Sequence, residues 1–376
     1  MLFRSLKTTG ALVVSLSVPG ALNEALSHET TGGKPPLTPD QLDSWIAVLP
    51  NGNVTAYFGK MDMGQGVDVA IGQMVAEELD VAFERVEVVM GDTQLTCNQG
   101  GASGSTGIQF GGVALRNAAA EARRLLVERA AEKLKVPADQ LTVVNGVVTA
   151  TANSQQKVGY GELVGGHYFH STLEWNKLYG NPLAVKGKAA PKKHSEHKVV
   201  GKSFPQKIIT EKVMGRLQYV TDLKVPGMMH ARVVRPPTAG CGPVKVDESS
   251  IGHIPGARVV QQKDFIAVVA AREWDAVRAA EALKVTWAPP CTPFPAVATL
   301  HDHIRKSKTI GGDTPIKRGD VDAAFKSAAR IVEAEYEWPL QSHASMGPAC
   351  ALADIKADGG MLLTGSQKPH YGRNGC

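Results

Sequence analysis

The sequence has few of the residue patterns that hold metal clusters or cross-link small domains. Its cysteines are odd in number, widely spaced and without a C-x-x-C motif, and they stand at Cys97, Cys241, Cys291, Cys350 and Cys376. This pattern argues against a disulfide framework, a zinc site and an iron–sulfur cluster held by this chain alone. No apolar run reaches the roughly 18 residues that a membrane-spanning helix requires.

An excess of charge of one sign is also missing. Lys and Arg number 41 and Asp and Glu number 36, which leaves +5 over 376 residues. So mild an excess argues against nucleic acid as the main partner. The 43% of hydrophobic and 20% of charged residues exclude wholesale disorder, and the length suits two or three domains. Glycine, in contrast, is abundant at 39 residues, which predicts many tight turns or close backbone approaches.

Residues 1–30 are typical of an export signal. Arg4 and Lys7 precede an apolar stretch over 11–18, which Pro19 ends. This is the layout of a basic region followed by a short hydrophobic region. It also resembles the end of a twin-arginine signal from which the second arginine is missing. A working signal predicts a periplasmic or membrane-associated protein. The alternative is a buried N-terminal helix of a cytoplasmic protein.

Residues 38–206 read as an α+β region. The apolar pattern predicts a hairpin over 45–58, a helix with Ile71, Val75 and Leu79 on one face, a strand over 86–90, a helix carrying Leu115, Ala118, Ala122 and Leu126, and a hairpin over 141–149. Two glycine-rich segments, MDMGQG at 61–66 and a Gly/Ser/Thr-rich run at 91–112, therefore each lead toward a helix. The lysines and histidines between 186 and 198 are interpreted as a solvated connector.

Residues 207–290 read as a separate small module, bounded by prolines at both ends. Its pattern predicts strands over 228–234, 257–260, 265–270 and 284–287, and a helix over 274–283. We expect Trp274 and Trp287 to be at least partly packed. Residues 291–376 are predicted to be a connector with a short helix over 321–329, followed by strands.

The glycine-rich segments favour a bound cofactor over a catalytic serine. Gly64-Gln65-Gly66 lacks the third glycine of a dinucleotide fingerprint, and Ser103 fails the G-x-S-x-G pattern because residue 105 is Ser. Two Gly/Ser loops that each precede a helix suit a large, phosphate-bearing organic cofactor, since free amides and the helix dipole favour negative charge. Gln65 has the donor and acceptor needed to read a pterin edge. For either loop alone, an ordinary tight turn is the alternative.

The order of motifs resembles a known family. MDMGQG, GDT, GASGSTG and LRNAAAEARR follow one another as in the molybdenum-binding large subunit of molybdenum hydroxylases, the xanthine dehydrogenase and aldehyde oxidase family. More narrowly, they resemble the isoquinoline 1-oxidoreductase beta-subunit type. Residues 207–290 resemble the a/b hammerhead domain, and 291–376 resemble the start of a second molybdopterin-binding region. The resemblance covers 38–370 and implies an α+β fold: a molybdopterin-binding domain with an inserted a/b hammerhead domain.

The resemblance implies an oxidoreductase that hydroxylates an N-heteroaromatic or aldehyde carbon with water-derived oxygen. Its cofactor would be molybdenum-molybdopterin, in the cytidine dinucleotide form in many relatives. Electrons would leave through a separate small iron–sulfur subunit with [2Fe-2S] clusters, and then to an acceptor such as a cytochrome c. The missing cluster motifs in this chain fit that division of labour.

The resemblance also implies site residues. By motif position, the residues that would bind the cofactor are Met63, Gly64, Gln65, Gly66, Ala102, Ser103, Gly104, Ser105 and Gln367. Gln367 falls where the family's glutamine hydrogen-bonds a molybdenum oxo ligand. The family's catalytic glutamate would lie beyond Cys376, so we assign no catalytic residue and no metal ligand. We therefore expect the chain to be a fragment that is inactive alone. A non-catalytic remnant that only binds a partner subunit is the alternative interpretation.

Overall fold

A computed structural model describes residues 12–14, 35–289, 295–314, 316–341, 347 and 349–376. The chain forms two compact units, Met1–Leu223 with Ser345–Cys376, and Lys224–Ala344. Most of residues 1–30 lie outside the described residues, so the export signal stays a prediction. Within the described ranges, no helix is both long enough and apolar enough to span a membrane.

Helices and short strands alternate along the chain, which confirms the α+β class. The helices are α1 (Val67–Leu79), α2 (Val113–Leu134), α3 (Tyr160–Val164), α4 (Ile209–Val213), α5 (Glu273–Ala282), α6 (Leu300–Lys306), α7 (Val321–Ser327) and α8 (Pro369–Gly375). The strands are β1 (Leu12–Val14), β2 (Ile46–Val48), β3 (Val54–Phe58), β4 (Val86–Met90), β5 (Leu141–Val144), β6 (Val147–Ala150), β7 (Asn153–Gly159), β8 (Glu174–Trp175), β9 (Val185–Lys186), β10 (His230–Val234), β11 (Pro243–Asp247), β12 (Arg258–Gln262), β13 (Phe265–Ala270), β14 (Lys284–Trp287), β15 (Ala351–Lys356) and β16 (Gly359–Thr364).

A strand–helix–strand unit organises the first compact unit. β3 pairs antiparallel with β2 and parallel with β4, and α1 forms the crossover between β3 and β4. Parallel neighbours require such a crossover, and ligands in α/β sheets gather outside the carboxyl ends of the strands. The loop at 59–66 leaves the carboxyl end of β3, which is where a binding site is expected. Elsewhere in this unit β5, β6 and β7 form an antiparallel sheet, and β16 pairs with β15 and β1.

The predicted apolar faces form the core of the first unit. Buried side chains of the first hairpin, α1 and α2 form one cluster that includes Trp45, Phe58, Ile71, Leu115 and Leu126. The helices carry apolar residues three and four apart, so each presents a continuous stripe to the core. The predicted hairpins, both helices and the strand at 86–90 are therefore confirmed.

The interpretation of residues 186–198 as a solvated connector holds for most of its charged side chains, which are exposed, but not for its backbone. Buried carboxylates of α1 and α2 bind its backbone: Glu78 accepts from the amide of Lys192, and Glu121 accepts from the amides of Lys188 and Ala189. A lysine run in an isolated sequence gives no sign that its backbone amides find buried acidic partners, in addition to the ion pair between Lys192 and Asp80. These bonds hold the segment against the two helices.

The second compact unit has its own small core. β10, β13 and β12 form an antiparallel sheet, β11 pairs with β14, and the buried face of α5 contributes Ala276 and Ala279. The predicted strands and helix are confirmed, and β11 was missed. Trp287 packs on the core, but Trp274 is 62% exposed, so its predicted packing is wrong. Trp274 precedes the buried Ala276 by two residues, which places it about 200° away around the helix axis, on the side opposite the buried face. The identification of 207–290 as a hammerhead domain stays a prediction.

Candidate cofactor site

The first glycine-rich loop is capped from inside. Oδ1 of Asp62 accepts from the amides of Gly66 and Val67 at 3.0 and 3.1 Å, which satisfies two of the free amides at the start of α1. Gly64 and Gly66 have φ of 98° and 77°, left-handed values that favour glycine. A Cβ on Gly66 would meet no atom within 4 Å, so the loop presents an open, side-chain-free surface there.

Gln65 and Met63 lie at the exposed tip of this loop. Oε1 of Gln65 accepts a hydrogen bond from the backbone amide of Met63. The Met63 side chain is 50% exposed, and Gln65 is also exposed. The glutamine therefore braces its own loop through its oxygen, which leaves its amide nitrogen as the group that can donate outward.

The second loop contains two consecutive left-handed residues. Gly104 (φ 69°, ψ 25°) and Ser105 (φ 58°) are left-handed, whereas Ala102 (φ −79°, ψ 0°) and Thr106 (φ −82°, ψ 3°) have negative φ. A left-handed Ser is uncommon and often marks a functional site. A π-helical turn, Gly107–Gly112, then leads into α2, and turns of this kind are also frequent at functional sites.

Lys60 lies buried beneath the second loop with no exposed surface. Its Nζ donates to the carbonyl of Gly101 at 2.8 Å, to Oγ1 of Thr106 at 3.2 Å and to Oδ1 of Asn181 at 2.7 Å. Burial lowers the pKa of Lys60 to about 8, since desolvation disfavours the charged form. In the part of the chain that the structure describes, its acceptors are all neutral oxygens, so the ammonium group under the loop is hydrogen-bonded but has no ion-pair partner there.

Gln99 ties the end of β3 to the turn before α2. Its Oε1 accepts from the amide of Gly59 at 2.7 Å, and its Nε2 donates to the carbonyl of Gly111 at 3.1 Å. Gly59 has no room for a side chain, because a Cβ would lie 1.8 Å from the carbonyl oxygen of Cys97. The backbone under the site is therefore fixed by close approach.

The two loops meet, as the sharing of one cofactor requires. A Cβ on Gly107 would lie 3.6 Å from Cγ1 of Val67, the residue that follows Gly66. The expected proximity of the loops is confirmed at this point of contact.

The segment that carries Gln367 contacts the second loop through a main-chain hydrogen bond. The amide of Ala102 donates to the carbonyl of Gln367 at 3.1 Å. Arg373 of α8 donates to the carbonyl of Thr93 at 2.8 Å, and the ring of buried His370 lies 3.3 Å from Oγ1 of Thr96. Burial, the main cause, together with nearby Arg373 lowers the pKa of His370 to about 4. The segment that carries Gln367 is thus bound to the second loop and to the run before it.

The site combines backbone amides, hydroxyls and a buried ammonium group. In the described part of the chain, no cluster of His, Cys, Asp or Glu is arranged to hold a metal ion directly, and the four described cysteines are free. These groups fit a large anionic organic molecule, which glycine loops can approach closely. Sequence reasoning missed Lys60, Gln99 and Asn181. Only Lys60 had a signal, since it lies between a predicted strand and the MDMGQG loop.

Comparison with known proteins identifies the family. Two domain models described as molybdopterin cofactor-binding domain match residues 25–209 and 300–376. A nicotinate dehydrogenase chain of Pseudomonas putida is 38% identical over 348 residues. The beta chain of isoquinoline 1-oxidoreductase from Brevundimonas diminuta is 31% identical over 373 residues. The chain belongs to the molybdenum hydroxylase family. The alignments cover 90% and 89% of this chain but 28% and 48% of these relatives, so it spans less than half the length of either.

A third protein to which the chain is similar carries another cofactor in its name. A membrane-bound aldehyde dehydrogenase of Gluconacetobacter polyoxogenes, whose name carries pyrroloquinoline-quinone, is 28% identical over 326 residues, with 82% of this chain and 40% of that protein covered. The two domain models that match this chain are both models of molybdopterin-binding domains.

Proposed function

We propose that this chain is the molybdopterin-binding part of a subunit that hydroxylates an N-heteroaromatic or aldehyde carbon with water-derived oxygen. Electrons pass to a separate subunit with [2Fe-2S] clusters. The names of the nicotinate and isoquinoline relatives support an N-heteroaromatic substrate, and that of the Gluconacetobacter relative supports an aldehyde.

The residues on hand fit the role of holding the cofactor. Gly66 offers a surface free of side chains for the pterin, with Gln65 as the donor at its edge and the Lys212 ammonium group beside Gly64. Ser103 and Gly104 offer backbone amides for phosphate, whereas the amide of Ala102 is bonded to the carbonyl of Gln367 and so holds that residue beside the loop. When bound, the cofactor supplies the redox chemistry. The chain's own residues bind it, orient it and keep the loops in place.

The observation that carries the proposal is the meeting of the two glycine loops over a buried, unpaired lysine, inside a region matched by a molybdopterin domain model. The test is molybdenum and pterin analysis of the full chain purified from cells supplied with molybdate. We expect molybdenum and pterin in equal amounts, and CMP released by hydrolysis if the cytidine dinucleotide form is bound.

A pair of matched variants tests the site itself. Gln65→Ala should lower molybdenum and pterin content together. Gln155→Ala, which removes an exposed glutamine on β7, should leave both unchanged. Absence of molybdenum from the wild-type chain, or pyrroloquinoline quinone in its place, contradicts the proposal. Co-purification with a [2Fe-2S] protein tests the electron partner separately.

A further inference from the structure

We propose that Lys60 is a positioning residue for an anion. Its ammonium group shapes the loop at 101–107. A phosphate group bound on the outer face of that loop balances the positive charge of the lysine. The identity of this phosphate as part of the cofactor rests on the proposed function. The argument for an anion does not, because it follows from the burial of Lys60 without a carboxylate partner among the described residues.

Lys60 links the two ends of the loop at 101–107 by hydrogen bonds. Its Nζ bonds the carbonyl of Gly101 at one end and Oγ1 of Thr106 at the other. The Thr106 hydroxyl in turn lies within hydrogen-bond distance of the carbonyl of Gly101 at 3.0 Å and that of Ser103 at 3.1 Å. This network directs the carbonyl of Gly101 and the hydroxyl of Thr106 toward the lysine, and the amides of Ser103 and Gly104 are left without a hydrogen bond among the described residues.

The charge of Lys60 has no carboxylate partner among the described residues. The titratable residues next to the segments that bond Lys60 are Asp62, Lys368 and Tyr371. Asp62 is bonded to the amides that begin α1, the Lys368 stem lies over the loop and adds charge of the same sign, and the Tyr371 hydroxyl lies beside Gly180. Buried charges are normally paired, because a lone ion in a low-dielectric interior is costly. An anion at the loop's amides provides the missing opposite charge.

This arrangement couples anion binding to a proton. In the free protein, burial lowers the pKa of Lys60 to about 8, so the side chain is mostly neutral at pH 9. A nearby anion favours the charged form and raises the pKa. Binding at pH 9 should therefore take up a proton, whereas binding at pH 6.5 should not, because Lys60 is then already charged.

The test is a pH-stat titration of the full chain with sulfate, a phosphate stand-in that does not itself titrate in this range, against chloride at equal ionic strength. We expect wild-type protein to take up most of one proton at pH 9 and none at pH 6.5. Lys60→Met should abolish the uptake. The control Lys207→Met removes another partly buried lysine of the same unit, bonded to the carbonyl of Val86, and should retain it.

Each other outcome overturns the proposal. No sulfate-dependent uptake by the wild-type chain at pH 9, equal uptake at both pH values, or uptake that persists in Lys60→Met would show that the lysine does not sense the anion. The wild-type comparison at two pH values decides the matter even if Lys60→Met fails to fold. Because no cofactor is added, failure here is distinct from an absence of molybdenum in the purified chain.

Discussion

Glu77 should contribute more to stability than its position on a helix suggests. It is 2% exposed, and its Oε2 accepts from the amides of Lys198, Val199 and Val200 at 2.8, 2.6 and 2.9 Å. Burial alone would raise the pKa of this carboxyl, but the three amide bonds and Lys192 outweigh it and hold the pKa below its usual value. Replacing the carboxylate by an amide, Glu77→Gln, keeps the shape and removes the charge.

The expected loss follows from the bonds. Hydrogen bonds to a charged group contribute ~1.5–3 kcal/mol and neutral ones ~0.5–1.5 kcal/mol, so three bonds lose about 3 kcal/mol together. Relief from burying a charge offsets on the order of 1 kcal/mol of this. We therefore expect Glu77→Gln to lower the free energy of unfolding by about 2 kcal/mol, which in a unit of this size lowers Tm by about 4–8 °C.

The assay is urea unfolding at pH 7 and at pH 4, with tryptic cleavage after the lysines of 192–198 as a local readout. A carboxyl with a lowered folded pKa stabilises above its unfolded pKa, and this contribution is lost as pH falls through the folded pKa. The difference in the free energy of unfolding between wild type and Glu77→Gln should therefore be smaller at pH 4 than at pH 7. At pH 7, trypsin should cleave the variant faster than the wild type. Glu132→Gln, an exposed change on α2, is the control. A gap under about 0.5 kcal/mol at pH 7, within the range of ordinary surface changes, or one that does not change with pH, would refute the reasoning.

Further predictions concern Lys60, Gly59 and the two tryptophans of the second unit. Because burial lowers the pKa of Lys60 to about 8, its charge destabilises the folded chain below that pH, and the cost is relieved as pH rises toward the unfolded value. Wild-type stability should therefore rise relative to Lys60→Met by about 3 kcal/mol between pH 8 and 10.5, measured by urea unfolding. Gly59→Ala should lower the free energy of unfolding by about 3 kcal/mol, since its Cβ would meet the Cys97 carbonyl, and a Tm scan checks this. Trp274→Ala should change stability by less than about 1 kcal/mol and Trp287→Ala by more, because Trp274 is 62% exposed; equal losses would contradict the packing.

Periodicity predicted the elements whose apolar faces are regular. Ile71, Val75 and Leu79 specify α1 because residues four apart share a helix face. β7 was missed because Val158 is its one buried residue, so its sequence shows no alternation. Local pattern finds an element only when the element buries a face of its own.

The site residues also divide into those that the sequence predicts and those that it does not. The glycine loops are visible in sequence because their conformations demand glycine locally, as at Gly64 and Gly66. The bond between Lys60 and Asn181 joins residues far apart in sequence, and nothing local to Asn181 marks it. The carboxylate bonds that hold 186–198 are equally long-range. Such contacts are products of the tertiary fold, and a single sequence does not display them.

The bond between Ala102 and Gln367 has a consequence for how the protein is made. The first unit is built from both ends of the described chain, with the second unit between them in sequence. Chains leave the ribosome from the N-terminus, and domains generally fold as units in that order. The loop at 101–107 therefore lacks its hydrogen bond to Gln367 until the second unit has been synthesised. Under the function proposed above, the cofactor site therefore forms completely only after residue 367 has been synthesised.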